Sequence, residues 1–238
     1  MIFKDNFHNF KEKPQVVATV TTADDLRQLR EDAETKASVD ILEFRLDNLA
    51  KLEQLDLAEE VADSVAPILI TARHPAEGGI GDLGAGKRQQ LLKRFLPKAA
   101  IVDLELRSVR KTYKLRDFVE EAREEGAAVV ASMHDFQKMP PMSALRSALK
   151  RANEVGVDAL KVAVVVETMK DVLNLASWVA DSETPISAMG MGPLGKMSRL
   201  VLARAGSVLN YGYLNVPNAP GQWKASELRR LIDELFEA

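Results

Sequence analysis

Apolar residues fall into two alternating kinds of stretch along the chain. The first kind is a short run with few polar interruptions: residues 15–20 (QVVATV), 39–44 (VDILEF), 66–71 (APILIT), 99–106 (AAIVDLEL), 127–132 (AAVVAS), 158–166 (DALKVAVVV), 185–189 (PISAM) and 207–211 (SVLNY). Such runs lack the alternation of a half-exposed strand, so they predict strands covered on both faces, as in a parallel sheet. In the second kind, apolar residues recur three or four apart, as with Leu26, Leu29 and Ala33, or Leu145, Ala148, Leu149 and Ala152. That spacing predicts amphipathic helices. Further helices are expected around Leu52, Leu55 and Val61, around Leu91, Leu92 and Phe95, in the charged region up to Gly126, and over residues 169–180, 196–205 and 225–236. Thr21 or Thr22 is placed to cap the first helix, Pro140 and Pro141 to open the helix of Leu145, and Gly126 to close the charged one.

Eight alternations in 238 residues leave about thirty residues each, the length of one βα unit. They close most economically as one α/β domain over residues 1–238, a single (β/α)8 TIM barrel, a fold of about 250 residues. A doubly wound open sheet is the alternative. Its dinucleotide-binding form is weakened because no Gly-x-Gly-x-x-Gly follows the first strand.

Composition narrows the chemistry. There is no cysteine, which excludes disulfides, thiolate metal sites and cysteine nucleophiles. The three histidines, His8, His74 and His134, are scattered, and the acids near the strand ends are interleaved with Arg and Lys, so no metal centre is expected. A net charge of -3 with no basic cluster argues against a nucleic-acid partner and for a small ligand. The opening MIFKDNFHNF lacks the apolar core of a signal peptide and no run approaches a membrane span, so no membrane partner and a cytoplasmic location are expected.

In a (β/α)8 barrel, function gathers where the strands end. Glu43, Arg45 and Asp47 end the second strand; Arg73 ends the third, with Glu77 in its loop; Asp103 and Glu105 lie in the fourth. His134 and Asp135 follow the fifth, Lys161 lies in the sixth, Ser198 and Arg199 follow the seventh, and Asn218 and Gln222 follow the eighth. Any single pair, such as Glu105 with Lys161, reads equally well as a buried structural ion pair, and His134 alone as a loop cap. Convergence of so many polar groups on one face favours a site. The glycine-rich loop at 78–86 (GGIGDLGAG) lacks the Gly-Lys-Ser/Thr ending of a P-loop and is expected to act as a mobile lid.

Lys161 is the anomaly. Lysine is almost never buried unless paired, yet it stands inside the sixth apolar run. Desolvation and nearby cations would disfavour its ammonium form and leave an amine able to attack a carbonyl. The resulting iminium acidifies the adjacent carbon, and His134, one strand away, suits the acid and base steps that follow. Arginines at several strand ends suit a substrate carboxylate, and Glu43 and Asp47 would accept hydrogen bonds from substrate hydroxyls. The residues alone thus point to Schiff-base lyase chemistry on a polyhydroxylated keto acid. A class I aldolase and a non-catalytic barrel binding a cyclic carboxylate remain alternatives.

Six fragments in order, EFRLD (43–47), TARHPAEGG (71–79), SMHDF (132–136), ALKVAV (159–164), MGxxGKMSR (191–199) and APGQW (219–223), resemble type I 3-dehydroquinate dehydratases of the shikimate pathway. The resemblance implies a (β/α)8 barrel, a homodimer, and syn loss of water from 3-dehydroquinate with neither cofactor nor metal. It implies a Schiff base at Lys161 with the C3 ketone. His134 would remove the C2 proton and protonate the departing C1 hydroxyl, and Glu77 would orient it. Glu43, Arg45 and Arg73 correspond to positions that hold substrate hydroxyls and frame the site, and Arg199 to a carboxylate clamp. Gln222 falls in a loop that folds over the substrate, and Asn218, also a substrate-binding position, stands where that pattern leads one to expect serine.

Overall fold

The computed structural model describes residues 7–52, 55–108 and 115–237. The first part of the polar opening segment, and residues 109–114 of the charged region before Gly126, lie outside them.

Eight strands form among these residues: β1 (Gln15–Val20), β2 (Ile41–Arg45), β3 (Ile68–Thr71), β4 (Ile101–Glu105), β5 (Ala128–Asp135), β6 (Ala159–Val165), β7 (Ile186–Met191) and β8 (Leu209–Tyr213). Neighbours in sequence pair in parallel from β1 to β7, and β8 pairs with β1. Helices alternate with the strands and pack outside them, giving the (β/α)8 barrel that the runs predict. The outer apolar layer lies between strands and helices. A smaller one fills the barrel, where Val17, Ile41, Leu69, Ile101 and Val130 meet Phe7 from the opening segment.

The last closure is lightly laddered. Between β7 and β8 the described residues contribute one backbone hydrogen bond, from Val208 N–H to the Ile186 carbonyl at 3.0 Å. Two buried serines supply the rest. Ser187 Oγ donates to the Leu209 carbonyl at 2.6 Å, while Ser207 Oγ accepts from Ala188 N–H at 3.0 Å and donates to the Ala188 carbonyl at 3.2 Å.

Element boundaries depart from the sequence pattern for identifiable reasons. β5 runs on to Asp135, so His134 and Asp135 lie within the strand instead of after it, because β6 offers ladder partners at Ala163 and Val164. β7 and β8 each end two residues later than the apolar runs. The helix expected through Ala33 stops at Glu31, since Asp32 caps a second short helix, Ala33–Ala37, through the N–H groups of Glu34 and Thr35. Similarly, Asp56 caps a helix Leu57–Ala62 separate from Leu46–Leu49. Thr22 forms a capping box with Asp25 for the first helix.

Candidate active site

All nine candidate site residues, Lys161, His134, Glu77, Glu43, Arg45, Arg73, Arg199, Asn218 and Gln222, line one cavity of about 540 Å³, counting its open mouth. Strand register explains the convergence. Lys161 sits opposite Ser132 on β5, and His134 is the next residue on the same face, one step nearer the mouth.

Lys161 is 4% exposed, and its amine is held at the base of the cavity. Nζ lies 3.1 Å from Asp103 Oδ2, 3.3 Å from Glu43 Oε1 and 3.7 Å from the centre of the Tyr211 ring. The groups in contact with the amine are therefore anionic or π-rich, not the cations expected from sequence. Arg73 is close by, but its charge is taken up by Asp103. It donates from Nη1 and Nη2 to the two Asp103 oxygens at 2.9 and 2.7 Å, and also reaches Glu105 and Ser132. Burial alone would raise the Asp103 carboxyl, yet the adjoining Arg73 and Lys161 charges hold it well below the usual carboxylate range. Glu43 follows the same logic: burial opposes its charge, and Lys161, Arg45 and Arg73 keep it low. Its oxygens also accept from Thr19 at 3.0 Å and Thr71 at 2.9 Å.

His134 has the opposite balance. Burial, then the charges of Arg73 and Lys161, push its imidazolium well below the ordinary range, so it is neutral at pH 7. Its Nδ1 lies 2.8 Å from Glu77 Oε2. Burial raises the Glu77 carboxyl to about 7 despite the nearby Arg73 charge. Glu77 is delivered by a single turn, Pro75–Glu77, that follows β3.

Arg199 is a buried cation of a different kind. It lies in the helix Gly195–Arg204 after β7, and its hydrogen bond is from Nη1 to the Tyr211 carbonyl at 3.1 Å. Among the described residues no carboxylate pairs with it, Nε has no partner, and burial alone lowers its pKa to about 10. The start of that helix is pressed against the loop after β8. A Cβ on Gly221 would stand 2.7 Å from Gly195 Cα, so the glycines of the MGxxGKMSR and APGQW fragments allow two backbones to touch. This contact places Gln222, whose Oε1 accepts from Asn218 N–H at 2.8 Å, beside Arg199's end of the cavity. Asn218 itself is exposed at the mouth.

Comparison with known proteins decides the family. A family profile described as Type I 3-dehydroquinase matches residues 16–238. The chain belongs to the type I 3-dehydroquinase family. These are hydro-lyases. It is 35% identical over 216 residues to a 3-dehydroquinate dehydratase of Methanocella arvoryzae, covering 90% of this chain and 94% of the relative. It is 29% identical over 230 residues to that of Staphylococcus saprophyticus, covering 92% and 94%. Among solved structures, the 3-dehydroquinate dehydratase of Geobacillus kaustophilus superposes with a TM-score of 0.80 at 28% identity, covering 93% of this chain and 91% of the other. A type I enzyme from Clostridium difficile, bearing covalently modified comenic acid, gives 0.79 at 26%, covering 94% and 92%.

Within this 3-dehydroquinase cavity, two sequence expectations need correction. Asp47 is fully buried and saturated: it accepts from Arg45 Nε and Nη2 at 3.0 and 2.8 Å and from the N–H groups of Arg73 and Ile80 at 3.1 Å each. It has no free lone pair facing the cavity, so it pins the β3 loop in place of receiving a substrate hydroxyl. The first part of the glycine-rich loop is tied down too, since Arg45 Nη2 donates to the Gly78 carbonyl at 3.1 Å and Lys51 Nζ to that of Ile80 at 2.9 Å. Sequence reading also missed Tyr211, Thr19, Met189 and Met191 on the cavity wall. The signal was there: Tyr211 and Met189 lie on the inward-facing alternation of β8 and β7, but aromatic and methionine residues in apolar runs read as core.

Proposed function

We propose that the protein converts 3-dehydroquinate to 3-dehydroshikimate and water by way of a Schiff base on Lys161, with His134 as general acid and base. The observation that carries this reading is a buried lysine amine sharing one cavity with a neutral, carboxylate-held imidazole and an uncompensated guanidinium. The covalently modified ligand in the Clostridium difficile relative also supports covalent chemistry in this family.

Each step uses groups already described. Among the described residues Arg199 has no counter-charge, and a substrate carboxylate supplies one through hydrogen bonds strengthened by burial. Lys161 gives its proton to His134 and attacks the C3 ketone; the imidazolium then returns that proton to the carbinolamine hydroxyl, which leaves as water, so that an iminium forms beside a neutral His134. The iminium carries the same positive charge as the ammonium it replaces, so Glu43 and Asp103 compensate it without reorganising. Neutral His134 removes the C2 proton and the electron pair moves to nitrogen as an enamine. The pair returns to expel the C1 hydroxyl, which leaves as water with the same proton. One imidazole acting on one face gives syn elimination, and hydrolysis of the product imine frees Lys161.

Borohydride added to enzyme with 3-dehydroquinate is expected to fix an adduct at Lys161, located by peptide mass. An unmodified Lys161 in a preparation that turns over would refute the imine. His134→Ala should still form the trapped adduct, but more slowly because the imidazole also relays the proton of imine formation, while turnover falls by about 10² to 10⁴-fold.

The Glu77 carboxyl sets the pH response. Above about 7 it is ionised, accepts Nδ1–H of His134 and leaves Nε2 bare as the base. Below that value it keeps its proton, donates to Nδ1 and drives the imidazole to the Nε2–H form, which cannot accept. kcat/KM should therefore fall as pH drops through about 7. In Glu77→Gln this acid limb should move to the lower pH at which His134 itself is protonated; a limb left in place would assign it to another group.

A further inference from the structure

Four buried side-chain polar atoms have no protein hydrogen-bond partner among the described residues: Gln28 Oε1, Asn48 Oδ1, Arg199 Nε and Tyr211 Oη. Two of these residues, Arg199 and Tyr211, line the active cavity. The carboxylate clamp accounts for Arg199, whereas no step so far uses the Tyr211 hydroxyl. A buried hydroxyl without a partner is destabilising, and such groups in native structures call for an explanation.

We propose that Tyr211 Oη donates a hydrogen bond to the oxygen on the carbon that Lys161 attacks, first as the ketone oxygen and then as the carbinolamine hydroxyl. This rests on the Schiff-base reading and adds a catalytic residue to it. Position comes first. The ring lies 3.7 Å from Lys161 Nζ, so a carbon bonded to that nitrogen forms beside the tyrosine. Its backbone is fixed by pairing with Val17 of β1 and by Arg199 Nη1 on its carbonyl.

Competition comes second. The nearby anions are already occupied: Glu43 by Thr19, Thr71 and Lys161, and Asp103 by Arg73, Ser132 and Lys161. Burial, then the charges of Glu43 and Asp103, hold the phenol well above its ordinary range, so it stays protonated and can donate. Tyr211 supplies a hydrogen bond and no proton. The proton that turns the carbinolamine hydroxyl into water comes from the imidazolium that took it from Lys161.

Tyr211→Phe isolates the hydroxyl, because the ring and its contact with Lys161 remain. Rapid-quench borohydride trapping should show imine formation slowed about tenfold relative to the unaltered protein, the value of one lost hydrogen bond. The thermal midpoint of the ligand-free variant should be equal or higher, since an unsatisfied buried group has gone. Trapping at the original rate overturns the proposal, as does slower trapping accompanied by a lower midpoint, which would mark the hydroxyl as structural. If the unaltered protein itself traps nothing at Lys161, the Schiff-base reading fails and this inference falls with it; normal trapping there beside an equally fast variant overturns this inference alone.

Discussion

Lys161→Ala is expected to lower turnover of 3-dehydroquinate by about 10⁴-fold or more, because no other group lining the cavity can form the proposed imine. Two effects are combined in that loss, and a second substitution separates them. Alanine removes both the nucleophile and the cation that compensates Glu43 and Asp103. Lys161→Arg restores a cation beside those carboxylates but cannot form an imine with the ketone. If arginine recovered a substantial part of the activity, the residue would be acting through its charge and the covalent route would be wrong. Steady-state assays following the enone product, run on both variants at saturating substrate, decide between these outcomes.

The largest expected effect on stability lies at Arg73, which is 3% exposed and binds Asp103 through both terminal nitrogens while also reaching Glu105 and Ser132. Arg73→Leu keeps much of the apolar stem but leaves two buried carboxylates short of their counter-charge. Breaking a buried pair from one side costs about 3–5 kcal/mol, a large share of the roughly 5–15 kcal/mol that holds a domain together. Urea unfolding followed by the fluorescence of Trp178 and Trp223 should show it. The pH dependence has a definite sign. Asp103 is held well below its ordinary range, so its contribution is present above the unfolded carboxylate pKa and lost only as pH falls towards the depressed value. In Arg73→Leu that pKa rises, and the loss of stability from acid should begin at higher pH than in the unaltered protein. A midpoint within experimental error of the original would show that Arg73 is dispensable to the buried network.

Strand positions were legible because apolar runs without alternation have few other uses in a chain of this length. Their ends were less so. Backbone ladders continue wherever a neighbouring strand supplies partners, and β5 carries the polar His134 and Asp135 inside its ladder for that reason. The composition of the cavity was legible through chemistry and order: a lysine in an apolar run, a histidine one strand back, arginines at strand ends. Its wiring was not. Sequence shows which strand ends carry charge, but which charges touch depends on register and on the inward turn of each side chain. Asp103, one acid in an apolar run, proved to be the bridge between Arg73 and Lys161. Asp47 stood in the right fragment, yet its four hydrogen bonds turn it to holding a loop.

The sparse joint between β7 and β8 bears on how a ligand would be held. Where a continuous ladder would make the two strands move as one plate, hydroxyl groups let the joint slide by small amounts without breaking a cooperative row. Arg199 stands just past one side of this joint and Gln222 just past the other. A molecule grasped by both would work as a clasp across the most sparsely laddered joint of the ring. Part of its binding energy would then go into tightening the barrel's circumference at that joint, and protection from thermal unfolding by a tight ligand would come with it.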